Sequence, residues 1–546
     1  MSDLKDSVGE DAGREMSWNA WGDPSRARTL PIAVRALLPA LLGRVPRPAP
    51  APRIDEVRVA PVGLDDAAAI ALREIVGAEA VRTDADARLR HAGGRSTPDL
   101  LRRRLAEQTV PDAVLLPADH AQVSEVLRVA AAHDLAVIPF GGGTSVVGGL
   151  DPERGGHRAV VSLDLRRLSG LVGLDEVSGE AELLAGTRGP DAERLLAERG
   201  FELGHYPQSF RYATIGGFAA ARSSGQNSAG YGRFDTMVTG LRVATPTGEL
   251  DLGRAPGSAA GPDLMRLLLG SEGALGVITH VRVRVHPLPR ERVVEAWSFP
   301  DFATGADALR RVVQHGGGPT VIRLSDEAET GVSLAQVGRI GRALAKGASA
   351  VTVFEGDDAE ERRSRTASIL AAAGGSSSGP DAAGDWAETR FDGPYLRDAL
   401  LDAGVFCETL ETATTWTNLN RLRAAVTDAL RSGLAAAGAK SFVMCHVSHV
   451  YPTGASLYFT VLAGIKSDPL AVWEAVKHRA GDAIVAAGGT ITHHHAIGRD
   501  HAPWLVDEIG ETGIRILRAV KRELDPQGIM NPGALIPFEA GGAQDD

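Results

Sequence analysis

PFGGGTSVVGGL, residues 139–150, is the stretch on which the fold turns. Glycine backbones can approach a pyrophosphate closely and aim successive N–H groups at it. The dinucleotide fingerprint G-x-G-x-x-G fails here, because Val146 stands where the third glycine should follow Gly141 and Gly143. The residues after the loop give no helix N-terminus signal, so a Rossmann site is disfavoured. Taken alone, the tract reads equally as a phosphate cradle or as a glycine-rich turn between strands.

Upstream, PDAVLLP (111–117) has the form of a short buried strand. Asp119 with Gln122 forms a capping-box signature, and Val123, Val126, Leu127, Ala130 and Ala131 recur at helical spacing. LAVIPF (135–140) is then a strand feeding the loop. Downstream, VITHVRVRVHP (277–287) alternates as a half-buried strand does. Two more tracts rich in small residues lie between, TIGGFAAARSSGQNSAGYGRFDTMV (214–238) and GSEGALGVIT (270–279). Three such loops in one region suit a long dinucleotide, which needs several backbone contacts.

After Pro289 a second α+β region begins. Its strand candidates are TVIRLSD (320–326), SFVMCHVSHVY (441–451), ASLYFTVLAGI (455–465) and TITHHH (490–495). Two strand pairs with intervening helices predict a ferredoxin-like antiparallel sheet covered on one face. Asp468 before Pro469 starts a helix carrying Leu470, Trp473 and Val476, and VDEIGETGIRILRAVKRELD (506–525) is the last helix. The fold class is therefore α+β. The expected units are a helical N-terminal extension and linker (1–100), a dinucleotide-binding domain carrying the three loops (101–290), a cap (291–505) and a C-terminal helix with tail (506–546).

A chain of 546 residues implies about three or four packing units. With 44% hydrophobic and 23% charged residues it has the balance of a soluble globular protein. The net charge of -11 offers no general attraction for polyanions, so nucleic acid is excluded as a partner. Two cysteines, Cys407 and Cys445, suit a reducing compartment, and the cytoplasm is expected. LPIAVRALLPALLG, from Leu30, contains Arg35 and Pro39 and is too short to span a bilayer. WNAWG (18–22) should dock on a domain, RVPRPAPAPR (44–53) should be an extended linker, and AAAGGSSSGPDAAGD (371–385) a flexible surface loop.

The chemistry-bearing residues lie in the second region. Three adjacent imidazoles, His493, His494 and His495, cannot share one side of an extended segment, so at most two should converge. Acid/base or anion-binding roles outweigh a structural cluster. A metal is disfavoured, since His501 is the sole nearby extra ligand and no carboxylate has H-E-x-x-H spacing. Tyr458 shares a strand face with Ser456 and Thr460 and can be core or proton donor. Arg323 and Arg397 sit among apolar neighbours and need either an anion or a bridge to Asp326 or Asp398.

PFGGGTS, QSFRYAT, ARSS and EGALGVI resemble the FAD-lining stretches of the vanillyl-alcohol oxidase and p-cresol methylhydroxylase (PCMH-type) flavoproteins. WNAWG, VIRLSD, YLRD, ETLETATTW, YPTGASLYFT, SDPLAVWEAV, GGTITHHHAIGRDH and LDPQGIMNPGAL extend the likeness, in order, to the alkyldihydroxyacetonephosphate synthase family. The resemblance implies a two-subdomain PCMH-type FAD-binding domain with Pro139, Phe140, Gly141, Gly142, Gly143, Thr144 and Ser145 at the pyrophosphate. Around flavin and ribityl it places Gln208, Ser209, Thr214, Ala221, Arg222, Ser223, Ser224, Glu272, Gly273, Ala274, Leu275, Gly276, Val277 and Ile278. No His or Cys occurs between Pro139 and Leu150, so the FAD should be non-covalent.

The family converts acyl-dihydroxyacetone phosphate and a long-chain alcohol into alkyl-dihydroxyacetone phosphate and a fatty acid. By resemblance, Arg397 would hold the substrate phosphate, Tyr458 and the histidines would move protons, and Arg323 would support the site. Gln208, Ala274 and Ala496 depart from family usage, where Asp, Thr and Gly are common, and the tail offers no peroxisomal tripeptide. The main alternative is an FAD-dependent 2-hydroxyacid dehydrogenase or oxidase; a silent flavin or lipid binder is the third reading. Long-chain substrates imply membrane access, for which residues 30–42 could serve as an attachment helix or pack on the body. A homodimer is implied by resemblance alone.

Overall fold

The fold is taken from a computed structural model that describes residues 15–30, 32–43, 45–46, 51–316, 318–336 and 347–538. The apolar runs 113–115, 135–140 and 159–164 are buried on both faces and pair in parallel, with Val81–Arg82 added antiparallel at one edge. The helix His120–Ala132 links two of them, capped by the Asp119 carboxylate on the Gln122 N–H. The Gln122 side chain reaches back to the Ala118 N–H and not to that of Asp119, so the capping box is only half formed. The strand Leu135–Phe140 thus delivers its glycine loop at the carboxyl edge of a parallel sheet, where open sheets bind ligands.

A second, five-stranded antiparallel sheet contains Val277–Arg284 in its centre. Val277, Thr279, Val281 and Val283 are buried while His280, Arg282 and Arg284 point outward, as the alternation predicts. Both sheets share one hydrophobic core, and that core crosses the boundaries expected at 100 and 290. Leu72 and Val76 from the helix Asp66–Val76 belong to it, as do Ile529 and Met530 from the tail. The tail is fastened to the first sheet, with the Val137 N–H donating to the Ile529 carbonyl at 2.8 Å.

The cap is a seven-stranded antiparallel sheet, wider than the two expected pairs. Its inner strands are Arg292–Phe299, Ala348–Glu355, Val321–Ser325, Ser441–Val450 and Gly454–Ala463, and helices Phe302–His315, Leu419–Ala436 and Pro469–Ala486 cover one face. Asp468 caps the last of these as expected. The opposite face turns toward the FAD-binding half, where the His449 ring donates to the Gly225 carbonyl.

Two expectations are corrected. The segment 371–385 is not a loop: Ser376–Gly379 pairs with Arg292–Phe299 at the sheet edge, and Asp381–Thr389 is helical. Small serines fit an edge strand whose outer side meets solvent. Thr490–His495 is not a strand; one bridge, Thr490 to Ala413, is all that pairs it with a sheet. WNAWG does dock. Trp18 and Trp21 are buried, the Trp21 N–H donates to Asp398, and Arg95 donates to the Ala20 and Ser17 carbonyls.

Candidate active site

The three small-residue loops pack on one another. A methyl group on Gly141 would strike the Thr214 hydroxyl, and one on Gly142 would strike the Tyr212 carbonyl. Gly273, at φ 77°, leaves only 2.7 Å between a built Cβ and the Pro139 ring. Asn531 ties two of the loops together, its amide donating to the carbonyls of Gly149 (3.0 Å) and Glu272 (2.7 Å). The Glu272 carboxyl accepts from the Ile497 and Gly498 N–H groups, and burial pushes its pKa up to about 7. The result is three loops of small residues closed on one another, with backbone N–H groups rather than bulky side chains at a sheet's carboxyl edge. These residues fit a dinucleotide such as FAD.

The other expected FAD contacts divide by exposure. Thr214 caps the helix Ile215–Ala221, and Arg222, at φ 49°, ends it and pairs with Asp235 at 2.8 Å. Ser223 contacts the His205 ring at 3.1 Å; Ser224 is buried; Gln208 is exposed. Leu275, Val277 and Ile278 are consumed by the core and can offer only backbone, whereas Ala274 is buried in a separate small cluster with Leu505, Ile514 and Leu535. The Phe140 ring lies against that of His91, and the Ser145 carbonyl accepts from the Arg95 N–H.

Facing these loops, a polar row crosses the cap sheet. Glu411 and His446 are both register partners of Tyr458, and Ser325 is the partner of His446, so these side chains share one face with Arg323. The Glu411 carboxylate, 2% exposed, organises the histidines. It accepts from the Thr492 hydroxyl (2.6 Å) and from the backbone N–H groups of His493 (2.6 Å), His494 (3.1 Å) and His495 (2.9 Å). The chain therefore wraps around an anion where an extended strand was expected. All three rings fan out together, with centroids 5.2 Å apart for His493 and His494 and 4.8 Å for His494 and His495. Convergence of all three is possible because the segment is a turn.

Tyr458 stacks between His446 (4.9 Å) and His494 (6.1 Å) and lies 5.7 Å from His495. Burial pushes the Tyr458 phenol up to about 12 and the His494 imidazole down to about 3, so both are neutral at physiological pH. For Glu411, burial favours the neutral form, but the facing imidazoles and the Thr492 hydroxyl outweigh it and hold the carboxyl well below its usual range. Arg323 pairs with Glu329 at 2.5 Å and touches His446 at 3.0 Å, while Asp326 is taken by Arg423. Arg397 has Asp398 at 3.1 Å and the Arg95 carbonyl at 2.6 Å.

His449, His493 and His494 form the one group among the described residues that could hold a metal ion, their ligand atoms lying within 4.8 Å of one another. His501, the expected extra ligand, is instead engaged with the Ala496 carbonyl. The first-named group is already occupied by protein contacts, His493 with the Tyr451 hydroxyl at 2.6 Å and His449 with Gly225. Glu411, Tyr451, His446 and His449 escaped sequence reasoning as site residues. An acidic residue within the β-prone run ETLETATTW was the available signal, since a carboxylate in a buried strand needs donors.

Interlocked small-residue loops at a sheet's carboxyl edge, under an imidazole-lined antiparallel cap, are the architecture of a PCMH-type FAD flavoprotein, and FAD is its cofactor. Residues 111–252 match the profile described as "FAD binding domain" and residues 288–535 that of "FAD linked oxidases, C-terminal domain". The chain is 34% identical to the alkyldihydroxyacetonephosphate synthase of Trypanosoma brucei brucei, over 96% of this chain and 93% of that one. It therefore belongs to the alkyldihydroxyacetonephosphate synthase family. A solved structure of alkyldihydroxyacetonephosphate synthase superposes with a TM-score of 0.81 at 27% identity, covering 95% of this chain and 98% of the other. p-Cresol methylhydroxylase shares the fold, with a TM-score of 0.67 at 16% identity over 87% and 98% of the two chains.

Proposed function

We propose that this chain exchanges the acyl group of acyl-dihydroxyacetone phosphate for a long-chain alkoxy group. The ester bond to the dihydroxyacetone carbon breaks, an ether bond to the alcohol oxygen forms, and the fatty acid leaves without net redox change. The observation that carries this reading is the fan of neutral histidines, fixed by Glu411, against the Tyr458 phenol. Residues 139–145, 208, 209, 214, 221–224 and 272–278 would hold FAD, which when bound would supply an electron-accepting ring.

In this reading His494 and His495 accept a proton from the dihydroxyacetone carbon and return it, because a neutral imidazole offers a lone pair. Tyr458 donates its O–H toward the departing carboxyl oxygen. Arg397 holds the substrate phosphate, for which a planar fork is better suited than an ammonium. Arg323 acts from behind, through Glu329 and His446, to keep Tyr458 in place.

Residues 32–42 form a helix whose Leu38 and Leu42 pack on Leu400 and Val405. Its other side exposes Ile32 (88%), Leu37 (57%) and Leu41 (51%). Packing thus leaves apolar side chains on both flanks of the helix in solvent, and we assign them to peripheral contact with a cytoplasmic membrane surface. Among the described residues no helix is long and apolar enough to cross a membrane. Homodimerisation rests on family resemblance.

The exchange is tested by incubating the holoenzyme with palmitoyl-dihydroxyacetone phosphate and radiolabelled hexadecanol. Label in alkyl-dihydroxyacetone phosphate, matched by released palmitate, is the expected result. Palmitate release without label in the ether product would overturn the proposal.

A further inference from the structure

Behind the imidazole fan lies a second phenol. Tyr451 follows the strand Ser441–Val450 and is half-buried beside the exposed Pro452 and Thr453. Its hydroxyl lies 2.6 Å from the His493 Nε2, and the His493 Nδ1 lies 3.0 Å from the His494 Nδ1. Both nitrogens of this 7%-exposed imidazole are therefore committed, one to each neighbour. Tyr451, His493 and His494 thus make one continuous file of polar atoms leading out of the fan.

The direction of the file follows from Glu411. Its carboxylate is held ionised 3.5 Å from the His494 Nδ1, which places the proton of neutral His494 on that nitrogen. His493 must then accept at Nδ1, and a neutral imidazole that accepts at one nitrogen donates from the other, so its Nε2–H points at the Tyr451 oxygen. The His494 Nε2 keeps its lone pair and makes no hydrogen bond among the described residues. His449 packs 4.9 Å from His493 but stands outside the file, its ring fixed between the Gly225 carbonyl and the Ser448 and Ser456 hydroxyls. Arg233 faces Tyr451 and donates to the His493 carbonyl at 2.8 Å, which steadies both members.

Burial lowers both imidazoles of the file, His494 to about 3, so neither readily carries a positive charge. A base in that position takes a carbon-bound proton more easily if it passes one on in the same motion. We propose that His493 and Tyr451 form a proton relay for His494, through which a proton leaves the fan without an imidazolium being formed. The relay rests on the exchange proposed above. The C–H bond beside the substrate ketone breaks, its electron pair passes to the carbon and the ketone oxygen, and its proton joins the His494 Nε2. The His494 Nδ1 proton moves to the His493 Nδ1, the His493 Nε2 proton moves to the Tyr451 oxygen, and the phenol's own proton goes to water. Both rings end as the opposite neutral tautomer, and the reverse sequence returns a proton to carbon.

The test supplies the holoenzyme with hexadecanol and palmitoyl-dihydroxyacetone phosphate carrying tritium on the ester-bearing carbon, and divides the label between water and ether product. That ratio is unmoved by a variant that is merely less folded or slower. Wild type should release tritium to water, and Y451F, which keeps the ring and deletes the hydroxyl, should release about tenfold less per ether formed. H493Q breaks the middle link, should behave alike, and carries the test if Y451F fails to fold. The wild-type ratio in either folded variant overturns the relay and leaves the proposed function standing. Ether formation by the wild type with no label in water does the same. Tritium release without ether product, lowered about tenfold per flavin in Y451F, keeps the relay and overturns the proposed function. Neither release nor ether from the wild type overturns both.

Discussion

Glu411 and His494 are joined twice: the carboxylate accepts the His494 backbone N–H at 3.1 Å and stands 3.5 Å from its ring Nδ1. One buried anion therefore sets both the path of the chain and the environment of the imidazole. Replacing Glu411 by Gln puts an amide NH₂ near the His493 N–H that Oε2 now accepts at 2.6 Å. An unsatisfied buried donor costs about 1–3 kcal/mol. We expect E411Q to fold with a lowered melting temperature and intact flavin, and to lose about 100-fold or more in exchange rate. Near-normal exchange would show that the fan does not depend on this carboxylate.

Tyr458 offers a cleaner removal of one group. Phe preserves the stack between His446 and His494 while deleting the O–H. General acid catalysis contributes about 10²–10⁴-fold, so Y458F should lose that much in kcat with flavin content unchanged. A change confined to KM would assign the phenol to binding.

The glycine loop predicts how FAD is held. No His or Cys lies between Pro139 and Leu150, so acid precipitation should leave a colourless pellet beneath a yellow supernatant. G142A drives a methyl into the Tyr212 carbonyl and should yield a folded cap with little flavin. A yellow pellet would demonstrate a covalent link.

Two opposed sets of buried groups shape stability against pH. His205, His494 and His501 are pushed by burial from 6.5 to about 3, so the unfolded chain binds more protons below pH 6.5 and stability falls as pH drops through that window. Glu193 and Glu272 are raised by burial from 4.5 to about 7, and Asp151 and Asp500 from 3.8 to about 7. The folded chain then holds the extra protons, and stability falls as pH rises from the unfolded carboxyl range to about 7. Between pH 5 and 6.5 these carboxyls, joined by Glu202 raised to about 8, outweigh the three imidazoles, each excess proton being worth about 1.4 kcal/mol per pH unit. Melting temperature should fall gently over that interval and more steeply toward pH 7.5. A melting temperature that climbs steadily from pH 5 to 7.5 would contradict the protonated carboxyls.

Most of the architecture can be read along the chain because it rests on local rules. The buried strand Leu135–Phe140, the capped helix after Asp119 and the alternating strand at Val277 each follow from spacing and turn chemistry within a dozen residues. Joint use of three loops could be argued from their shared small residues, and their mutual packing agrees. The turn at Thr492–His495 could not be read that way, because its shape is imposed by Glu411, 81 residues from Thr492 in the chain. β-Prone threonine and isoleucine suggest a strand there, and a tertiary carboxylate overrides them. For the same reason Arg323 was matched to Asp326 nearby in sequence, whereas the sheet hands it Glu329 and His446. The edge strand Ser376–Gly379 was hidden by composition, since a serine-rich run reads as loop until a partner strand is known.

The central claim is that an oxidised flavin works here beside neutral proton-transfer groups without consuming reducing equivalents. Anaerobic absorbance spectroscopy of the purified holoenzyme tests it most directly, with D-lactate, glycolate and 2-hydroxyglutarate added in turn. The visible absorption band of the oxidised flavin should persist with all three hydroxyacids. Rapid and complete bleaching by any of them would mark a hydroxyacid dehydrogenase and contradict the account.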